Sequence, residues 1–252
     1  SIRKIGDTYY LVYSSGENNE LAYATSRHPD RDFRYRGVII SNADLGYKGN
    51  TKPKAPAGTI HGGIECINGQ WYVFYHRCTN NTDFSRQACA EPIKILQDGS
   101  IPQVEITTQG LNGKPISAKG NIPAAYACNL TTGKTIKLGI GKQQTLPRID
   151  ESEGEVYVAD LANNTQLGYK YFDFRNVQRI SVTYRGAGEG ILEVRTQENG
   201  NSIGTIPIQP SLQWTQASGT VDLNGVHALY LRFRGKGRID LKTVTFSEED
   251  PL

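Results

Sequence analysis

The sequence has no methionine among its 252 residues. A chain without an initiator is expected to be processed or truncated, with its true N-terminus upstream of Ser1. None of its four cysteines, Cys66, Cys78, Cys89 and Cys128, stands in a CxxC pair. That leaves out a zinc knuckle and a thioredoxin-type redox site. No apolar stretch approaches the roughly 18 residues of a membrane span, and no signal-peptide pattern occurs within these residues, which says little where the N-terminus is not in view. Charge of one sign is also lacking. With 28 basic and 25 acidic side chains, scattered evenly, the net charge is +3. Neither a nucleic-acid groove nor a membrane-binding surface is expected from so mild a balance. Finally, no window carries a sustained helical apolar stripe.

What is abundant points the other way. The 27 glycines, 11 prolines and 14 tyrosines describe short strands joined by many turns, an all-β chain. Cys66 and Cys89 lie inside strand-like runs and read as small buried hydrophobes.

An internal repeat organises the first part. Residues Ile2–Ser15 match Ile64–Arg77 at an offset of 62, with Ile2/Ile64, Ile5/Ile67, Tyr10/Tyr72 and Tyr13/Tyr75 identical. Each copy reads as a hairpin turning at Gly6-Asp7 or Asn68-Gly69. The second strand of each, Tyr9 to Tyr13 and Trp71 to Tyr75, is apolar at every position. Such a strand is expected to be covered on both faces. Further strand signals follow: 20–24 and 33–40 after the first hairpin, 86–90 and 101–106 after the second. A repeat of about 60 residues with four strands describes a β-propeller blade. A propeller needs about four to eight blades to close, and only two fit here. The remaining blades are therefore expected outside this sequence, from the same parent chain or a companion chain.

Residues 109–119 read as a polar connector rich in Gly and Pro signals. Beyond it, from 120 to 248, the period changes to clean alternation. Ile180, Val182 and Tyr184 share one strand face, and Leu229, Leu231 and Phe233 another. With Ile191–Arg195, Gly204–Ile208 and Leu241–Phe246, these strands predict a two-sheet sandwich.

Chemistry is harder to locate. His61 opens the second hairpin, followed by two glycines that let the backbone pass close to a neighbour. Arg86 begins a strand, and His76-Arg77 ends one. No nucleophile elbow is present, and no carboxylate pair of the kind glycosidases use can be singled out.

Three strings, Ser1–Ser14, His61–Arg77 and Phe84–Ile93, carry a resemblance. Residues 1–108 resemble the last two blades of glycoside hydrolase family 43, five-bladed propellers that include arabinofuranosidases and β-xylosidases. The resemblance implies that His61 is the axial histidine organising a metal or water site beneath the substrate, with calcium as the ion. It implies that Arg86 reaches the substrate pocket. It also implies an inverting mechanism whose general-acid Glu, general-base Asp and pKa-tuning Asp all lie upstream of Ser1. The chain alone would then lack both acid and base.

Segments Gly168–Phe174, Gly200–Ile206 and Gly225–Gly235 resemble a family 6 carbohydrate-binding module. Two departures stand out. Pro123-Ala124-Ala125 occupies the place of acidic calcium ligands, and Ser211 replaces a ligand-stacking Trp. Tyr157 is the best remaining aromatic platform for a sugar ring. Tyr230 and Trp214 read as core.

The leading expectation is part of a glycosidase acting on plant-type oligo- or polysaccharides, secreted or periplasmic because its polymer lies there. Its alternatives are a non-catalytic carbohydrate-binding protein and a purely structural β-protein.

Overall fold

The computed structural model describes residues 1–17, 19–82, 84–132 and 147–248. Among these, every regular element is a strand except three one-turn 3-10 segments at Tyr47–Gly49, Gly110–Asn112 and Ala124–Tyr126. The protein is all-β. It divides into two units, residues 1–106 and 107–248.

The first unit holds two antiparallel sheets. Strands β1 (Ile2–Ile5), β2 (Thr8–Ser14), β3 (Glu20–Ser26) and β4 (Arg34–Ser41) pair in chain order. Strands β5 (Gly63–Ile67), β6 (Gln70–Cys78) and β7 (Arg86–Ile93) form the second sheet. The turn chemistry explains both hairpins. Asn68 and Gly69 hold φ of +51° and +82°, the left-handed pair whose twist matches that of the strands.

The second sheet has three strands, not the four expected. Residues 101–106 are extended but add no fourth strand. They bond instead to the first sheet: the Val104 N–H donates to Ile39 O at 2.9 Å, and the Ile101 N–H to the Tyr23 hydroxyl at 2.8 Å. The run from Ile101 to Ile106 reads like a strand because it carries β-branched residues, and both end side chains are buried. Their backbone partners are set by distant residues.

The all-apolar β2 is covered on one face only. Tyr10 and Val12 are buried, whereas Tyr13, on the opposite face, is 37% exposed. Ile2 and Tyr35, whose registers against Leu11 and Ala24 put them on that same face, are 41% and 64% exposed. In the second sheet the repeat partners Ile64 and Tyr75 are buried. Equal sequence thus meets unequal cover. Cys66 is exposed as well, because it sits next to the Asn68-Gly69 turn where the sheet face runs out.

The second unit is one hydrogen-bonded path folded around a single core. It comprises β8 (Ile116–Ser117), β9 (Gly120–Pro123), β10 (Asn129–Thr131), β11 (Arg148–Ser152), β12 (Glu155–Leu161), β13 (Gln166–Gly186), β14 (Glu189–Arg195), β15 (Gly204–Ile208), β16 (Ser211–Lys236) and β17 (Ile239–Ser247). The long β13 pairs with β16 through several register shifts. A shift that adds an odd number of residues changes which parity faces inward. Leu167 and Tyr169 point to the core before the shift at Tyr169/Phe172, and Phe172 and Phe174 after it. Ile180, Val182 and Tyr184 then line the same core, as their alternation predicts. The segment 109–119 is not free chain: Ile116–Ser117 pairs in parallel with Phe172–Asp173.

Candidate functional site

The site is built around the start of β5. Asn42, 1% exposed, donates from Nδ2 toward the carbonyls of Gly58, Thr59 and His76, each at 3.4 Å. Ser14 Oγ bonds to Ile60 O. The chain leading to His61 is therefore fastened to both sheets. Gly62 explains the Gly pair. A Cβ there would stand 1.8 Å from Phe74 O and 2.9 Å from Leu21, so only glycine lets β5 start so close to β6.

The Asn68-Gly69 turn pairs Ile67 with Gln70 and Gly63 with Phe74. Continuing that register places residue 61 opposite residue 76. His61 Nδ1 indeed lies 3.2 Å from His76 Nε2, and the rings stack with centroids 5.4 Å apart. His61 is exposed, while His76 is half-buried and its Nδ1 is buried without a hydrogen-bond partner. A protonated His76 would carry a buried, unpaired N–H at that atom. Burial, then the nearby Arg86 charge, then His61, hold His76 below the usual imidazole range. His76 is neutral at pH 7. An unpaired acceptor is cheaper to bury than an unpaired N–H. The shared proton therefore belongs on His76 Nε2, donated to His61 Nδ1, which leaves His61 Nε2–H free to donate outward.

Arg86 starts β7, exposed and paired in register with Cys78. Because β7 sets Arg86 opposite Cys78 and Ala88 opposite His76, Arg86 starts one diagonal step from His76 on the same face of the sheet. The structure thus brings together His61 and Arg86, the two residues singled out by sequence. It adds His76, which the sequence reading noted at a strand end without giving it a role. Its signal was available: 61 and 76 face each other once the Asn68-Gly69 turn is accepted.

The assembled group is a donor surface, one imidazole N–H and one guanidinium, suited to sugar hydroxyls or an anion. It has no acid or base carboxylate. Nor do its residues fit the calcium ion that the resemblance implies. Calcium takes about six to eight oxygen ligands. Among the described residues no three His, Cys, Asp or Glu gather anywhere, and His61 faces another imidazole.

In the second unit, Tyr157 is 7% exposed. The Arg185 guanidinium lies 4.9 Å from its ring centroid and 4.4 Å from that of Trp214. The two aromatics meet edge to face at 5.6 Å. Lys242, paired with Glu155, lies 5.5 Å from the Trp214 ring centroid. Tyr157 is therefore a capped ring rather than an open platform. Trp214 is half-buried in this charged cluster, outside the sandwich core in which it was expected; Tyr230 is buried against Gly168. Ala124 and Ala125 form a buried turn whose Ala124 carbonyl accepts from the Tyr169 hydroxyl at 3.1 Å, so the first-strand position offers packing instead of metal ligands.

Comparison with known proteins follows this division. Residues 126–248 match the family model of the carbohydrate binding module (family 6). The chain is 45% identical, over 97% of its length, to a xylosidase/arabinosidase of Thermoclostridium stercorarium, of which it covers 54%. It is 29% identical to a beta-xylosidase of Xylanibacter ruminicola, over 41% of this chain and 30% of that one. Among solved structures, a glycoside hydrolase family 43 arabinoxylan arabinofuranohydrolase from Bacillus subtilis shares the fold. The TM-score is 0.52 at 20% identity, over 98% of this chain and 53% of the enzyme. The chain spans about half the length of the first of these relatives, or less of the others. Residues 126–248 are thus similar to the family 6 carbohydrate-binding modules, and along nearly its whole length the chain is similar to a xylosidase/arabinosidase.

Proposed function

We propose that this chain forms the C-terminal part of a glycosidase of the arabinofuranosidase or β-xylosidase class, acting on plant-type oligo- or polysaccharides. The observation that carries the reading is the meeting of His61, His76 and Arg86 at one end of the second sheet, in a chain so similar to a xylosidase/arabinosidase. In this reading the two sheets are blades of a five-bladed propeller. The exposed apolar face of Ile2, Tyr13 and Tyr35 is where a further blade packs.

His61 and Arg86 bind and orient the sugar. His61 donates from Nε2 to a hydroxyl, and the guanidinium of Arg86 takes a second oxygen. His76 fixes the tautomer that makes His61 a donor. Inverting hydrolysis needs one carboxylic acid at the leaving oxygen and one carboxylate activating water. Both belong to blades outside these residues. A polymeric substrate implies action outside the cytoplasm.

The test begins with the intact mass of the protein under denaturing conditions, which tells whether further blades accompany this chain. With them, hydrolysis of aryl-β-xyloside or aryl-α-arabinofuranoside is expected. Arg86→Ala or His61→Ala should lower it about 100-fold, the usual loss when one preorganised donor is removed. A blade-complete preparation that leaves both substrates untouched, or is indifferent to both substitutions, sinks the reading. A second reading, carbohydrate binding without catalysis, is favoured by the module match alone. It predicts retention on insoluble xylan with no hydrolysis under any pairing.

A further inference from the structure

At the end of β2 and β3 remote from Ile60, the first sheet bears a cleft of about 590 Å³. Arg27, Arg34 and Arg36 all line it, and all three are exposed. Among the described residues none of the three makes an ion pair or a side-chain hydrogen bond. Two acids stand nearby, and both are engaged. Asp32 faces Arg31 at 3.8 Å. Asp98 accepts from the backbone and hydroxyl of Ser100, which, with Arg36 nearby, hold its carboxyl below the usual range. Among the described residues neither acid forms an ion pair with the three arginines, although Asp98 feels the Arg36 charge through space. In a chain whose net charge is only +3, three unpaired guanidiniums converging on one hollow are a local excess.

The rest of the lining narrows the ligand. Thr8 and Thr25 bring hydroxyls, and half-buried Phe33 brings an apolar ring. A free inorganic anion has no use for a ring and neutral hydroxyls. A sugar carrying a carboxylate uses all three: guanidinium to carboxylate in fork geometry, hydroxyl to hydroxyl, and C–H face to aromatic ring. The backbone supports the placement. Arg34 is paired in register with Thr25 on β3, and the Tyr10 hydroxyl, donating to Gly99 O at 2.9 Å, ties the 98–99 turn to the cleft wall.

We propose that this cleft is a binding site for uronic-acid units of polysaccharide chains. It rests on the carbohydrate reading above and deepens it, since it names acidic side groups as what the protein holds while it acts.

The experiment is calorimetric titration of this chain with a xylo-oligosaccharide bearing one glucuronic acid branch, and with the same backbone unbranched. Inorganic phosphate serves as the competitor. The acidic sugar should bind at least about tenfold more tightly at low ionic strength. The preference should shrink as salt rises, and the exposed double variant Arg34→Gln/Arg36→Gln should abolish it while leaving neutral-sugar binding unchanged. Equal binding of both sugars, no binding of either, a preference that survives the double variant, or displacement by phosphate at equal concentration overturns the inference. The two proposals fail separately. Hydrolysis of aryl glycosides without uronate preference removes only the cleft. Uronate preference without hydrolysis in a blade-complete preparation removes only the glycosidase.

Discussion

His61 Nδ1 stands 3.2 Å from His76 Nε2, across a hairpin whose register is set by the two-residue turn Asn68-Gly69. Fifteen positions apart in sequence, the two rings are neighbours because each step back from the turn on one strand matches a step forward on the other. One ring is wet and the other half-buried.

His76 should stay neutral below the pH at which a free imidazole charges, held down by burial, then Arg86, then His61. As pH falls below the ordinary range near about 6.5, the unfolded chain takes up this proton and the folded one does not. Stability present above that pH is then lost on acidification. Proton-detected spectra of the His76 ring across pH 4–8 follow it directly, and Arg86→Ala should move its midpoint upward. A His76 midpoint at or above the free value contradicts the geometry.

Gly62→Ala should destabilise the first unit by about 1–3 kcal/mol, the range for overpacking. The new Cβ meets a backbone oxygen, Phe74 O, which has no rotamer through which to retreat. Denaturant unfolding measures the loss. Gly69→Ala, where nothing lies within 4 Å but φ is +82°, separates steric clash from backbone strain and should cost less.

Arg185→Ala should uncover the Tyr157–Trp214 pair. Two cation–π contacts and the Asp240 ion pair are removed together, for about 1–2 kcal/mol. Trp214, one of only two tryptophans, should shift its emission to the red as its ring meets water. Arg185→Lys should restore little, because a compact ammonium cannot reach both rings and Asp240 as the guanidinium fork does.

Gly168→Ala should cost the second unit about 1–3 kcal/mol. Its Cβ would come within 2.7 Å of the Tyr230 ring and 2.9 Å of Asn129 Cβ, both in a packed interior. A thermal shift of the isolated chain reports it. Gly168→Ser with Tyr230→Phe should fare no better, since the obstruction is the ring edge and not the hydroxyl.

Strand identity was legible wherever it depended on neighbours in sequence. The alternation of Ile180, Val182 and Tyr184 predicts their shared face, and Asn68-Gly69 predicts its hairpin and with it the meeting of His61 and His76. Turn dihedrals and side-chain periodicity are properties of a few adjacent residues, so a single sequence carries them. What failed was everything that required a distant partner. Ile101 to Ile106 look like a strand, yet find their bonds on Ile39, Tyr23 and Asp44. Tyr157 looks like a sugar platform, yet lies under a guanidinium from another strand. Composition determined an all-β chain with two patterns of alternation. Only the tertiary structure decided which apolar faces are covered, which rings are capped and which arginines remain unpaired, because burial and charge pairing are settled between residues that the chain brings together only on folding.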